Sequence, residues 1–266
     1  MRLRSAVAAL TGAGSGIGRA IALAFAREGA RLVLTSDVEP QVRGVAEEAR
    51  ALGASAVALR ADVTRSEDMA AMTARAVQEY GALDVLVTCA GLGASGLLAE
   101  QDESTWLRIV EVNLNGTYRA IRAVLPQMMT QKQGRIITIS SVFGKMGGYS
   151  FITAYAASKH GVIGLTRSLA AEVAAQGYPA ITVNAICPGY IRAGMGVAPQ
   201  KVKAREGGIR EIPGDELFER YLKRRVPQRR MLEADEVAHV AVFLALPESH
   251  GITGQALNVD GGFFMS

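Results

Sequence analysis

The chain has 266 residues, of which 49% are hydrophobic, so it can bury a full core and falls within the range of a single α/β domain. No stretch approaches the ~18 consecutive apolar residues of a membrane span, and the first residues do not resemble a signal peptide. We therefore expect one cytoplasmic domain covering residues 1–266. Two cysteines and three scattered histidines predict neither a disulfide framework nor a metal site.

The net charge of +4 is concentrated in one segment, because residues 201–230 hold ten Lys and Arg against five Asp and Glu. Such a segment is more often a solvated helix face than an anion-steering surface, and we favour the first interpretation. The segment also lacks the interleaved aromatic side chains of a strand-binding groove, so we expect no nucleic-acid partner.

A short apolar run at 5–11 leads into a glycine-rich turn and then a helical pattern. The turn reads Thr-Gly-Ala-Gly-Ser-Gly-Ile-Gly at 11–18, a spacing that differs from the standard Gly-x-Gly-x-x-Gly fingerprint. Glycines let the backbone approach a pyrophosphate, and the helix N-terminus offers free N–H groups. We expect dinucleotide contacts from Gly12, Ser15, Gly16, Ile17 and Gly18.

The second predicted strand, 31–35, ends at Ser36 and Asp37, about twenty residues after the glycine turn. An acidic side chain there can accept hydrogen bonds from an adenosine ribose and repels a 2′-phosphate. Because Ser15 also offers no cation, these residues predict NAD over NADP as the cofactor. Nearby cations that leave NADP possible are Arg19, Arg31 and Arg43.

Helices and strands alternate along the rest of the chain. We expect helices near 40–52 and 66–80, one carrying Trp106 and Asn113, one that includes Tyr155, and one at 234–246; the strands are expected at 55–60, 83–88, 135–139, 180–186 and 256–259. Continuous apolar strands between helices favour a parallel sheet covered on both faces. The polar candidates lie just past the carboxyl ends of these strands, where open α/β sheets bind ligands.

Residues 190–230 show no comparable strand and a composition rich in Gly, Lys, Arg and Glu. Apolar residues at 217, 221 and 222 have helix-compatible spacing, so we expect a helical lid near 190–230 at the ligand edge. Apolar residues able to line a substrate pocket beneath it are Met146, Tyr149, Phe151, Tyr190 and Met195.

Tyr155 and Lys159 are four residues apart in a segment with helical spacing, so their side chains share one helix face. A cation roughly 5 Å from a phenol, at an effective dielectric of about 20, favours the phenolate by about 3 kcal/mol. That would lower the phenol pKa from ~10 toward useful acid/base chemistry. A buried tyrosine beside a surface lysine is the simpler interpretation of this pair taken alone.

Taken together, these residues resemble the short-chain dehydrogenase/reductase family over essentially the whole chain. The resemblance rests on the turn at 11–18, Asp62-Val63, Asn113, Ser141, Tyr155-x-x-x-Lys159, Pro188-Gly189 and Asn-Val-Asp-Gly-Gly at 258–262. It implies a Rossmann-type doubly wound sheet of about seven strands, commonly assembled as homotetramers. It further implies cofactor contacts from Asp62, Val63, Cys89, Ala90, Gly91, Tyr155, Lys159, Pro188, Gly189 and Ile191.

The resemblance makes Asn113, Ser141, Tyr155 and Lys159 the catalytic tetrad. Tyr155 would exchange a proton with the substrate oxygen, and Ser141 would hydrogen-bond the same oxygen. By resemblance, Lys159 also holds the nicotinamide ribose and Asn113 positions a water that relays protons. Taken singly, Asn113 fits a satisfied buried amide and Ser141 a helix cap.

Three positions depart from the family pattern. Cys89 stands where an amide is usual, and Ala193 stands where a threonine would offer a hydroxyl. Asp37 lies one residue later than the usual NAD-type acid, so we expect a one-residue bulge if it reaches the ribose, and Ser36 fills the usual position.

We therefore expect an enzyme that transfers hydride between NAD(H) and a secondary alcohol or ketone. The lid resembles those of family members that act on hydroxyacids, 3-oxoacyl thioesters or aromatic polyketides. A neutral cyclic or aromatic alcohol is the alternative substrate. A non-catalytic dinucleotide- or nucleic-acid-binding regulator is the alternative from another class.

Overall fold

The computed structural model describes residues 1–147, 149–193, 200–203 and 208–265, and in it seven parallel strands form one sheet. The strands in chain order are β1 (Val7–Thr11), β2 (Arg31–Ser36), β3 (Ala56–Arg60), β4 (Val85–Thr88), β5 (Gly134–Ile139), β6 (Ile181–Pro188), β7 (Gln200–Lys203), β8 (Ile209–Ile212) and β9 (Ala256–Val259). The large sheet has the order β3-β2-β1-β4-β5-β6-β9.

Helices cover both faces of this sheet. They are α1 (Gly16–Arg27), α2 (Glu39–Ala51), α3 (Ser66–Tyr80), α4 (Glu103–Val110), α5 (Gly116–Gln131), α6 (Thr153–Ala175), α7 (Gly214–Leu217) and α8 (Ala234–Ala245). One buried cluster joins α1, α2 and α8 to the sheet. A second cluster joins α3, α5 and α6 to the opposite face.

The central strand β1 explains why the strands read as continuous apolar runs. All five of its residues are buried. Successive side chains point to opposite faces, so Ala8 and Leu10 pack into the first cluster while Val7 and Ala9 pack into the second. A strand covered by helices on both sides has no solvent face for polar residues. The predicted doubly wound α/β fold is confirmed.

The strand order reverses between β1 and β4, which places a crevice at their carboxyl ends. Parallel strands all end at this one edge, so the loops after β1, β4, β5 and β6 meet there. The strand order therefore determines where the candidate site lies.

The helix expected to carry Trp106 and Asn113 is present, and a π turn at Glu111–Asn115 joins α4 to α5 without a break in the helical backbone. One prediction about local structure was wrong. The segment predicted as a purely helical lid contains an antiparallel hairpin of β7 and β8 before α7. Its strands are short and charged, with Arg210 and Glu211 exposed, so they lack the apolar alternation that identifies a strand.

Helical structure does occur in the second half of that segment, at Gly214–Leu217 and in a π turn at Phe218–Leu222. Leu217 and Leu222 are buried there with Ile212, as their spacing predicts, whereas Tyr221 is 47% exposed. In the described part of the chain, none of the helices is long and apolar enough to cross a membrane.

Alanine substitutions at two glycines test how closely the helices pack. A Cβ at Gly116 would lie 2.6 Å from Cγ2 of Val63, whereas one at Gly44 on α2 would meet nothing within 4 Å. Gly116→Ala is expected to lower the free energy of unfolding by about 1–3 kcal/mol through overpacking against a stiff side chain. Gly44→Ala is expected to raise it by about 0.5–1 kcal/mol, because alanine favours the helix.

Urea unfolding of both variants and the wild type at one protein concentration measures these changes. A Gly116→Ala protein as stable as the wild type would show that α5 and Val63 are not held this tightly.

Candidate active site

A cleft of about 460 Å³ opens at the strand edge where the sheet order reverses. All sixteen residues predicted to contact the cofactor line it: Gly12, Ser15, Gly16, Ile17, Gly18, Asp37, Asp62, Val63, Cys89, Ala90, Gly91, Tyr155, Lys159, Pro188, Gly189 and Ile191. They come from six separate stretches of sequence. The fold thus brings the predicted residues together in one cavity.

The glycine turn at 12–18 forms one wall of the cleft. Gly12 and Gly16 have positive φ values, of 62° and 53°, which suit glycine. A Cβ at Gly18 would overlap the carbonyl oxygen of Gly12, so the turn folds directly onto the first turn of α1. Thr11 ties the turn to the next strand, because its Oγ1 accepts hydrogen bonds from the backbone N–H of Cys89 and of Ala90 at 3.2 and 3.3 Å.

The N-terminus of α1 faces this cleft and fits a phosphate group. Ser15 is the N-cap residue and makes no capping hydrogen bond through its side chain, and the first turn of the helix contains no acidic residue. The first N–H groups of a helix carry partial positive charge and need acceptors. The residues present therefore fit the pyrophosphate of a dinucleotide.

Ser36 and Asp37 both line the far end of the cleft. The predicted bulge is absent, since β2 pairs regularly with β3 as far as Ser36 and Arg60. Asp37 instead follows the strand directly and is exposed. Of the cations that could oppose an NAD assignment, Arg19 is paired with Glu48 and Arg43 with Glu39, whereas Arg31 starts β2 at the opposite edge of the sheet.

Ser141 follows β5 and stands beside Tyr155. Its Oγ accepts the backbone N–H of Phe143 at 3.2 Å, so it also caps a short 3₁₀ turn at Val142–Gly144. Both residues line the cleft. The cap interpretation of Ser141 and its predicted place beside the phenol are therefore compatible.

Lys159 lies one turn after Tyr155 on α6, as predicted. Its Nζ donates to the carbonyl of Ile139 at 2.8 Å and lies 5.8 Å from the centroid of the Tyr155 ring. The residue is only 4% exposed, yet it lines the cleft. His160 is exposed, and its Nδ1 lies 2.9 Å from the carbonyl of Ala156, so it points away from the cleft as expected.

Asn113 lies behind the cleft wall in the π turn and is fully buried. Its Oδ1 accepts from the N–H of Leu92 at 2.7 Å, and its Nδ2 donates to the carbonyl of Leu92 at 2.9 Å and to Oγ of Ser158 at 3.0 Å. These bonds join the loop after β4 to α6. They satisfy the amide, as the simpler interpretation of Asn113 predicts.

Aromatic side chains form a wall beside Ser141. The rings of Phe143 and Tyr149 lie 4.8 Å apart, the hydroxyl of Tyr190 donates to that of Tyr149 at 3.1 Å, and Phe263 packs 5.6 Å from Tyr190. A buried cluster of apolar residues between 212 and 231, which includes Phe218, packs against Tyr149, Tyr190 and Phe263.

The other predicted pocket residues lie apart from this wall. Phe151, with φ of 69°, accepts a hydrogen bond from the backbone of Gly96, and Met146 closes a turn on Val142. Met195 falls outside the described residues. Of the described members of the predicted pocket, none lines the nucleotide cleft.

The carboxyl-terminal residues are bonded to the loop that follows Ser141. Nζ of Lys145 donates to the carbonyl of Ala256 at 3.1 Å and to Oδ1 of Asn258 at 2.9 Å. Nδ2 of Asn258 donates to the carbonyl of Phe264 at 2.5 Å. We call this set of bonds the terminal latch.

Comparison with known proteins agrees with this geometry. Residues 12–264 match a family described as Enoyl-(Acyl carrier protein) reductase. A putative ketoacyl reductase of Streptomyces coelicolor is 39% identical over 97% of both chains. The chain is a short-chain dehydrogenase/reductase. This confirms the resemblance seen in the sequence.

Two further relatives of this dehydrogenase/reductase are similar over nearly their full length. The 3-oxoacyl-[acyl-carrier-protein] reductase FabG of Staphylococcus aureus is 37% identical, over 97% of this chain and 98% of the relative. A crystal structure of an actinorhodin polyketide ketoreductase variant with NADPH superposes with a TM-score of 0.87 at 38% identity, covering 97% of each chain.

The acid/base pair of this dehydrogenase/reductase departs from the sequence prediction. Burial raises the pKa of the Tyr155 phenol, and a hydrogen bond with Ser141 opposes that rise only in part. Burial also lowers the pKa of Lys159, to about 8. The expected lowering of the phenol pKa by the ammonium was therefore wrong, because both groups are removed from water.

The structure shows what Cys89 and Ala193, which depart from the family pattern, bring to the cleft. Burial raises the pKa of the Cys89 thiol to about 11, so the group is an uncharged small side chain at the cleft. Ala193 lines the cleft and brings no hydroxyl to it.

Sequence reasoning missed several residues of the cleft. They are Gly14, Val38, Gln41, Ala61, Leu92, Arg108, Val112, Ile139 and Ser140. Most are apolar or contribute backbone, so no pattern marks them. Arg108 is different, because it carries a charge and comes from α4, which the predicted site did not include.

The buried ammonium of Lys159 makes stability depend on pH. Its pKa is lowered from 10.5 to about 8 on folding, so between these values the unfolded chain binds a proton that the folded chain does not. Stability therefore rises with pH across that window by up to about 3 kcal/mol. Lys159→Met is expected to remove this rise.

Unfolding free energies of wild type and variant from pH 7 to 10.5, without added dinucleotide, measure the difference. The same curves for Lys132→Met, which removes an exposed ammonium, provide the control. Parallel curves for wild type and Lys159→Met would contradict the prediction.

Proposed function

We propose that this protein is a ketoreductase that interconverts a ketone and a secondary alcohol, with a nicotinamide dinucleotide as the hydride carrier. The observation that carries the proposal is the meeting of Tyr155, Lys159 and Ser141 with the glycine turn in one cleft. A phenol beside a hydroxyl can hold and protonate a carbonyl oxygen, and the glycine turn fits a pyrophosphate.

Each residue of the proposed tetrad has a distinct task. Tyr155 gives its hydroxyl proton to the substrate oxygen in reduction and takes it back in oxidation. Ser141 donates a hydrogen bond to the same oxygen and so keeps the carbonyl in line with the phenol. When bound, the dinucleotide supplies or accepts the hydride.

Lys159 is proposed to hold the nicotinamide ribose. With a pKa near 8, its ammonium can share protons with solvent near neutral pH. Asn113 is proposed to position a water molecule that relays protons between Lys159 and solvent. Its Nδ2 is engaged by Leu92 and Ser158, whereas its Oδ1 accepts, among the described residues, from Leu92 alone and keeps a lone pair for a water.

The proposed substrate is a 3-oxoacyl compound, in keeping with the printed names of the ketoacyl and 3-oxoacyl reductases that this chain resembles. A neutral cyclic or aromatic alcohol is the second candidate, supported by the aromatic wall of Phe143, Tyr149, Tyr190 and Phe263. Acetoacetyl-CoA and cyclohexanone are suitable probes of the two classes.

NAD is proposed as the preferred cofactor, although the similar polyketide ketoreductase was crystallised with NADPH. The support is Asp37, an exposed carboxylate on the cleft wall, and the pairing of Arg19 and Arg43 with glutamates. A carboxylate at this place repels a 2′-phosphate. The homotetramer and the cytoplasmic location expected from the sequence stay predictions.

Tyr155→Phe tests the catalytic assignment. Removing the hydroxyl takes away the proton donor, so kcat for acetoacetyl-CoA reduction is expected to fall at least ~100-fold, while NADH still binds. Loss of NADH absorbance measures turnover, and NADH fluorescence measures binding. Tyr118→Phe, which removes an exposed hydroxyl on α5, is the matched control. Equal turnover in Tyr155→Phe and wild type would end the assignment.

Asp37→Ala tests the cofactor preference. Without the carboxylate, NADPH is no longer repelled, so the ratio of kcat/KM for NADH over NADPH is expected to fall by about 10-fold. Asp37→Asn keeps the shape but removes the charge, and it separates repulsion from lost hydrogen bonds. A ratio unchanged in both variants would show that Asp37 does not face the ribose.

A further inference from the structure

Arg108 is a charged residue of the cleft wall that the predicted site does not include. It lines the cavity together with Asp62, Val63 and Val112. Asp62 and Val63 follow β3, the neighbour of β2 in the sheet, so they border the part of the cleft that holds Asp37, where the adenosine ribose is proposed to bind. Arg108 is exposed, so it reaches this end of the cavity from the solvent side.

The backbone around Arg108 is fixed by packing. The neighbouring Ile109 is only 2% exposed and anchors α4. The N–H groups of Thr105 and Trp106 both donate to the carbonyl of Asp102, which closes the first turn of the helix. A side chain on an anchored helix is presented to the cleft in a narrow range of positions.

The acidic groups near Arg108 are already engaged. Glu111 is paired with Arg119 at 2.5 Å and accepts from Asn115. Asp62 accepts the N–H of Thr64 at 2.9 Å, and the charge of Arg108 contributes to lowering its pKa without a contact of ion-pair length. Among the described residues, no carboxylate lies within 4 Å of the Arg108 guanidinium. Arg108 is thus a cation on the cleft wall that is free to bind a ligand.

We propose that Arg108 binds the adenine of the dinucleotide, with its planar guanidinium packed against the purine ring. The inference rests on the proposed function, because it requires a dinucleotide in the cleft. Arginine stacks on aromatic faces and brings a favourable cation–π interaction, which a lysine provides without the planar contact. Val63 and Val112 supply apolar contacts at the same place, and Asp62 supplies an acceptor for an amino group.

Arg108→Met keeps the unbranched stem of the side chain and removes the planar cation. We expect the dissociation constants of both NADH and AMP to rise about 3- to 10-fold. Reduced nicotinamide mononucleotide, which has no adenosine, is expected to bind both proteins alike. Fluorescence titration measures the two reduced ligands, and calorimetry measures AMP.

Arg122→Met, which removes an exposed arginine of α5 that does not line the cleft, is the matched control and is expected to bind AMP as the wild type does. Arg108→Lys is expected to recover only part of the affinity for AMP. Full recovery by lysine would overturn the stacking contact, because charge alone would then suffice. An equal loss for AMP and the mononucleotide would overturn it too, since the change would not be specific to adenine.

The outcome also separates this inference from the function on which it rests. Wild-type protein that binds neither NADH nor NADPH would remove the dinucleotide proposal and Arg108 with it. Wild-type protein that binds NADH with the same affinity as Arg108→Met would remove only the role of Arg108.

Discussion

The hydrogen bond from Lys159 to the carbonyl of Ile139 holds the site together. It joins α6, which carries Tyr155, to the end of β5, after which Ser141 follows. The bond also gives a buried ammonium an acceptor that it needs once it has left water. Because helix and strand are fixed to each other here, the phenol and the serine hydroxyl meet at a constant separation. The proposed chemistry depends on that separation.

Much of the fold could be predicted from the sequence, because strands such as β1 and β6 are buried on both faces and are mainly apolar. Two-sided burial between helices specifies a parallel sheet, and a parallel sheet brings all strand ends to one edge. The candidate residues were found for the same reason. Gly18 lies at the start of the helix after β1, Ser141 follows β5 and Pro188 ends β6, and the topology brings these strand ends together at one edge of the sheet.

The features that the sequence did not predict depend on contacts between residues far apart in the chain. The side chain of Asn113, in the π turn at 111–115, makes three hydrogen bonds to Leu92 and Ser158, and no local pattern encodes these contacts. The protonation of Tyr155 and Lys159 was misjudged because spacing gives proximity but not burial. Arg108 was missed because the sequence does not show that α4 borders the cleft.

The terminal latch has a consequence for how the protein is handled. Through it, Asn258 is bonded both to Lys145 and to Phe264, while Phe263 packs edge-on against Tyr190 within the aromatic wall. A label attached at Phe263 or Phe264 would therefore disturb the wall that neighbours Ser141, whereas Met1 is exposed and precedes β1 at the opposite edge of the sheet. Labels for this protein belong near Met1.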